Sequence, residues 1–283
     1  MRALLAIQCL VLCMLVPFVV YGRTIIPLQI NDGGYIFLSV NINGDTEAKF
    51  MLDTGAGVNV ISQRLFERIR TTVATDGLHT GTRHNGEQIT GMLYRIPSLS
   101  LGSYSQQNVT IGIYDGLRDC DGLLSLDYFR DTPFTIDFKN QQLIIEGPDE
   151  LKKIKVDGLV VPIKIQTNGK HELQFFVDLC FNDDVQCSAE FDTGAGFNML
   201  MLHPRYMDRL KIKTPSQPAN YGYYIFSTTL PKLMYCVYKE TLVNRNVFVG
   251  FKEGLIYNGL VGSAMFRNKR LTINIPGSEI IAH

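Results

Sequence analysis

FMLDTGAGVNVIS, Phe50 to Ser62, and AEFDTGAGFNMLM, Ala189 to Met201, are the stretches on which the reading of this chain turns. Each leads from apolar residues into the same pentapeptide, Asp-Thr-Gly-Ala-Gly, and leaves it through another apolar-rich run. A single Asp-Thr-Gly means no more than a turn. Two matched copies in 283 residues ask for a chemistry that needs two equivalent aspartates, Asp53 and Asp192.

The likeness extends beyond the pentapeptides. The segment IIPLQINDGGYIFLSVNINGDTEAKFMLDTGAG has a counterpart in VVPIKIQTNGKHELQFFVDLCFNDDVQCSAEFDTGAG. Both open on two β-branched residues and a proline, pass an Asn/Gly turn, form an alternating strand and return apolar into the aspartate, a strand and hairpin pattern. A short helix is expected after each motif, over Ser62–Arg70 with Ser62 as N-cap and over His203–Ile212 with Pro204 in its first turn. Further on, DGLLSLDYFR and NGLVGSAMFR place Gly122 after Asp53 at nearly the distance that Gly259 lies after Asp192. Two halves of one ancestral unit are the simplest explanation. The intervening runs of Thr, Val, Ile, Tyr and Phe, broken by Gly, Asn and Pro, favour an all-β fold with few helices. The expected division is 1–22 signal peptide, 23–147 first lobe, 148–158 polar, turn-rich linker and 159–283 second lobe.

Composition narrows the class. Hydrophobic residues at 46% and charged residues at 19% describe a globular protein, and a formal net charge of zero argues against a nucleic-acid surface. The N-terminus, MRALLAIQCLVLCMLVPFVVYG, has one Arg, an apolar run and a small residue, Gly22, at its end, the layout of a secretory signal. Leu4 to Val20, with Gln8 and Pro17 inside it, falls short of the roughly 20 apolar residues that span a bilayer. The expected location is therefore outside the cytoplasm, periplasmic or extracellular, with no stable membrane span after cleavage; an N-terminal membrane anchor is the alternative. Cleavage near Gly22 would put the first strand at the new N-terminus. Export would permit disulfides among Cys120, Cys180, Cys187 and Cys236. A bridge between Cys180 and Cys187 across the polar turn FNDDVQ is sterically reasonable, although four cysteines allow three pairings. Neither metal nor other cofactor is expected, because the histidines are scattered and form no ligand spacing with the cysteines.

Two carboxylates brought within hydrogen-bond range cannot both ionise cheaply. They share one proton, leaving an acid and a base in one site. Such a pair can take a proton from water while giving one to a peptide carbonyl, without a metal or a covalent intermediate.

The matched DTGAG motifs after apolar strands, with an apolar-apolar-Gly element downstream in GLVG, resemble the retropepsin-like aspartic proteases, here doubled within one polypeptide in the manner of pepsin. The proton-sharing dyad is the known behaviour of that family. The resemblance implies a bilobal, all-β acid-protease fold and an endopeptidase acting on extended peptides, as a monomer with an internal pseudo-dimer. It implies Asp53 and Asp192 as the catalytic pair, with Thr54 and Thr193 exchanging hydrogen bonds between lobes. Gly55 and Gly194 would bring N–H groups to the carboxylates, and Gly262 would back the second loop. In the first half the equivalent of Gly262 is Ser125, a departure that puts the geometry behind Asp53 in doubt. Ala56 and Ala195 stand where pepsins carry Ser or Thr, so no hydroxyl lowers the carboxylate pKa there, and a mildly acidic to near-neutral optimum is expected. Substrate-covering hairpins are expected over Leu78–Tyr94 and Gln217–Leu230, with Tyr94, Tyr223 and Tyr224 as candidates to reach over the cleft. The alternative to an enzyme is a peptide-binding pseudoprotease of the same fold; both aspartates are kept, and Ser125 is the one specific argument for it.

Overall fold

The computed structural model describes residues 23–117, 119–181, 185–197, 199–213, 232–237 and 242–283, with backbone alone for 232–237 and 242–248. The expected signal segment, the expected second hairpin and its candidates Tyr223 and Tyr224 lie outside these residues. The molecule is all-β and bilobal, and its described residues form three sheets. One eight-stranded sheet comes from the first half, and another comes from the second. A six-stranded sheet takes three strands from each and joins them.

In the joining sheet the strands run in the order Thr24–Pro27, Gln142–Ile145, Phe134–Asp137, Arg270–Asn274, Glu279–Ala282 and Leu159–Pro162. The seam between halves is antiparallel, with Phe134 opposite Ile273 and Ile136 opposite Leu271. At its middle Thr135 and Thr272 face each other with their hydroxyl oxygens 2.7 Å apart, and both residues are buried. The apolar positions alternate toward the core, and the hydroxyl pair satisfies the polar ones, as burial demands.

Within each lobe the strand leading to the aspartate lies parallel to a short Gly-Leu strand. Thr46–Leu52 pairs with Gly122–Leu124, Phe50 opposite Gly122, and Val185–Phe191 pairs with Gly259–Val261, Ala189 opposite Gly259. The side chains of Ala48, Phe50 and Leu52 in one strand, and of Val185, Cys187, Ala189 and Phe191 in the other, are buried. The strands therefore hold their aspartates at the inner end of a packed core, where a shift of register would expose every apolar side chain.

The first short helix forms over Gln63–Ile69, capped by Ser62, whose Oγ accepts from the Leu65 amide at 3.1 Å. The second is shorter than expected, helical only over Tyr206–Arg209. The stretch expected to be a turn-rich linker is a helix, Pro148–Asp157. Pro148 at its start, Asp149 and Glu150 in its first turn and Lys155 in its last complement the helix dipole, which outweighs the polar composition.

The bridge expected between Cys180 and Cys187 does not form. In the hairpin Cys180 stands opposite Gln186 and Leu179 opposite Cys187, so the two thiols point to opposite faces of the sheet. Cys187 is a buried free thiol facing the core, and burial pushes it up to about 11. Cys180 lies opposite Cys236 in the neighbouring strand. No helix among the described residues is long and apolar enough to cross a membrane.

Candidate active site

Each DTGAG segment turns directly after its strand. The Asp53 amide donates to Leu124 O at 3.0 Å and the Asp192 amide to Val261 O at 2.9 Å, so the Gly-Leu strands set the height of both aspartates. Four bonds then lock the loops to each other. Thr54 N donates to Thr193 Oγ1 at 3.1 Å and Thr193 N to Thr54 Oγ1 at 3.0 Å. Each hydroxyl in turn donates across the interface, Thr54 Oγ1 to Phe191 O and Thr193 Oγ1 to Leu52 O, both at 2.8 Å. Both threonines are fully buried, so every polar atom of this lattice depends on the other lobe.

The lattice brings Asp53 and Asp192 into hydrogen-bonding contact. Asp53 Oδ1 accepts from Gly55 N at 3.0 Å and Ala56 N at 2.9 Å. The glycines are required by approach: a Cβ on Gly55 would lie 2.6 Å from Asp192 Cγ, and one on Gly194 2.5 Å from Asp53 Cγ. Burial holds both carboxyls above the usual carboxylate range, Asp192 well above it because Asp53 also repels its charge. Loop amides favour ionisation on both sides, those of Gly55 and Ala56 at Asp53 and those of Gly194 and Ala195 at Asp192, but the Asp192 carboxyl is held higher, so the shared proton rests preferentially on Asp192.

The elements behind the loops differ. Gly262 crosses so close that a Cβ would lie 2.0 Å from Gly196 O. Ser125, fully buried, takes its place in the first lobe without crowding the loop, because Asn59 is turned toward it. Asn59 Oδ1 accepts from the Ser125 amide at 2.9 Å and hydroxyl at 3.2 Å, and Ser125 Oγ accepts from Asp127 N at 3.3 Å. Each aspartate loop is also touched by the opposite lobe, through Phe197 N to Gly33 O at 2.7 Å and Leu173 N to Gly57 O at 3.3 Å.

A cavity of about 620 Å³ opens over the pair. The hairpin of Ala74–Thr82 and Gln88–Leu101 covers it, at the position expected for the first flap, with His79, His84, Ile89 and Met92 in its lining. One strand and the turn reach the other lobe: His79 Nε2 lies 2.9 Å from Glu172 Oε1, and Ile256 N donates to His84 O at 2.9 Å. Tyr94 does not reach over the cleft. Its ring packs on Phe66 of the first helix, centroids 4.7 Å apart, because strand alternation turns it away from the cavity.

The structure adds residues that were not singled out from sequence. Glu190, Tyr257 and Glu172 line the cavity together with Leu123 and Leu260. Glu190 was legible in principle, as the one charged residue of its strand, two before Asp192, at the position that Met51 holds before Asp53.

Residues 38–128, which carry Asp53, its loop and Ser125, match a family model described as aspartyl protease. No curated protein matches the chain. Among solved structures the chain is similar to conglutin gamma, a unique basic 7S globulin from lupine seeds, at 12% identity and a TM-score of 0.55, over 92% of this chain and 94% of that one. The first likeness supports the aspartic protease family for the stretch around Asp53, and the second shows that the two proteins share a fold across nearly their whole lengths.

Proposed function

We propose that this chain is an aspartic endopeptidase with one active site, to which each lobe contributes an aspartate. The observation that carries the reading is the buried Asp53–Asp192 contact, held by the four-bond threonine lattice. A buried, mutually repelling pair weakens a purely structural loop, and function is the usual reason for keeping one.

In this reading the Asp53 carboxylate takes a proton from a water that attacks the peptide carbonyl carbon, while the Asp192 carboxyl gives its proton to the carbonyl oxygen. The tetrahedral intermediate then collapses, the C–N bond breaks, and the leaving nitrogen takes up a proton from the pair. Extended peptides are the substrates, lying beneath the flap hairpin as an added strand. The repeated motif order supports an ancestral duplication with lobes at 23–147 and 159–283 and a monomeric, internally paired enzyme. The apolar N-terminal run supports export, to the periplasm or the extracellular space.

The test is cleavage of a quenched peptide library by the parent protein, Asp53→Asn and Asp192→Asn, from about pH 3 to about pH 8. Loss in both variants, by about a thousandfold or more, is expected. A parent that is folded yet inert at every pH would reject the enzyme in favour of a peptide-binding relative of the fold.

A further inference from the structure

A third carboxyl stands beside the dyad, and the catalytic scheme leaves it without a task. Glu190 is 2% exposed, and Oε1 has no hydrogen-bond partner among the described residues. It sits on the cleft side of its strand, where Ser188 and Asp192 share its face, and it lines the cavity above the aspartates. Phe176 stands opposite it in one neighbouring strand and Leu260 in the other. Tyr257 packs edge-on against Phe176, ring centroids 5.2 Å apart, and its hydroxyl already donates to Gln174 Oε1 at 2.9 Å. Apolar side chains thus flank the Glu190 carboxyl on its strand neighbours, and among the described residues no donor meets its Oε1.

We propose that the Glu190 pocket is a specificity subsite that accepts a lysine or arginine side chain of the peptide next to the scissile bond, an inference that rests on the endopeptidase reading above. The aliphatic stem of such a side chain would lie along Tyr257 and Leu260, which line the cavity with Glu190, and its cationic head would supply the donor that Oε1 lacks. Charge favours a cation over a neutral donor. The charged groups acting on Glu190 are Asp192 and Asp53, both repelling, and burial with that repulsion keeps its carboxyl well above the usual range while the site is empty. A neutral donor satisfies the oxygen but leaves ionisation opposed. A cation satisfies the oxygen and offsets the repulsion together. The corresponding residue in the first lobe, Met51, is apolar, so the selection acts on one side of the scissile bond and not the other.

The experiment uses the full chain and fluorogenic peptides identical except at one residue, scanned on either side of the scissile bond as Lys, Arg, Gln or norleucine. The parent is expected to prefer Lys or Arg over norleucine by roughly ten- to a hundredfold in kcat/KM at one position, the range of a hydrogen-bonded charge. Glu190→Gln should bring that ratio close to one, and Glu190→Met should invert it; using both keeps the test alive if one variant folds poorly. A parent that prefers Gln or norleucine at every position overturns the proposal, as does a ratio that survives both substitutions, and either leaves the endopeptidase intact. If no peptide is cleaved, the endopeptidase reading fails and the subsite is read by fluorescence anisotropy of labelled peptides. Lys-selective binding that Glu190→Gln abolishes then supports the subsite, and equal binding of Lys and norleucine peptides overturns it.

Discussion

The loops at Asp53 and Asp192 share five residues, yet they are backed differently. Behind Asp192 the loop doubles back through Gly196, which adopts φ of +74°, and its carbonyl presses on Gly262. Behind Asp53 the equivalent Gly57 does not adopt positive φ, and its carbonyl accepts from Leu173 of the opposite lobe. The space so released takes the Ser125 side chain, which Asn59 satisfies. One sequence motif can therefore set the same aspartate geometry with two different supports, and the support decides which substitutions each lobe tolerates.

The sharpest way to break this comparison is to exchange the supports. Gly262→Ser should disable the second loop, because something must move by more than an ångström, with activity falling by about a hundredfold or more and Tm falling with it. Ser125→Gly removes hydrogen bonds but causes no clash, and should cost about 1 kcal/mol; equal losses from the two variants, by kcat/KM and thermal melts, would show that the supports are not distinct. Where the loops are alike, they should respond alike. Thr54→Val and Thr193→Val each strand a buried donor and acceptor, and each should cost about 2–4 kcal/mol in denaturant unfolding. A large asymmetry between them would mean that one threonine does most of the joining.

Smaller, and dependent on pH, is the effect of the carboxyls themselves. Asp53, Asp192 and Glu190 are all raised above their ordinary values of 3.8, 3.8 and 4.5 by burial. The folded chain therefore keeps protons that the unfolded chain has released. Their stabilising contribution is full below the ordinary values and is lost as pH rises through the raised ones. Asp192→Asn removes the strongest repulsion and should melt a few degrees above the parent near neutral pH, with the gap closing toward about pH 4, followed by scanning calorimetry. The same raised values support an activity optimum in the mildly acidic to near-neutral range, and a maximum below about pH 3 would contradict it. Smallest of all, Tyr94→Phe should leave KM for peptides unaltered, since the ring lies on Phe66 and not over the cleft.

Much of this was legible in the chain. The duplicated pentapeptides announce two aspartates, and strand alternation before them announces the sheets. What sequence order could not supply is lateral registry. A turn between Cys180 and Cys187 looks bridgeable until the hairpin is seen to be offset by one residue, which sends the thiols to opposite faces. Ser125 looks like a fault until Asn59, distant in sequence, is found against it. Tyr94 lies in the right hairpin, but the phase of its strand turns it outward. Glu190 shows the reverse case: its oddity is visible in the sequence, while its meaning depends on being buried with an Oε1 that meets no partner among the described residues.

The seam at Thr135 and Thr272 has a kinetic meaning for the site. Because strands of both lobes of one chain are hydrogen-bonded there, each aspartate meets the other at an effective concentration fixed by the fold and not by the solution. In the proposed enzyme dilution would not separate the pair, so specific activity should stay flat however little protein is present, whereas an enzyme assembled from two separate chains loses its site as its subunits part.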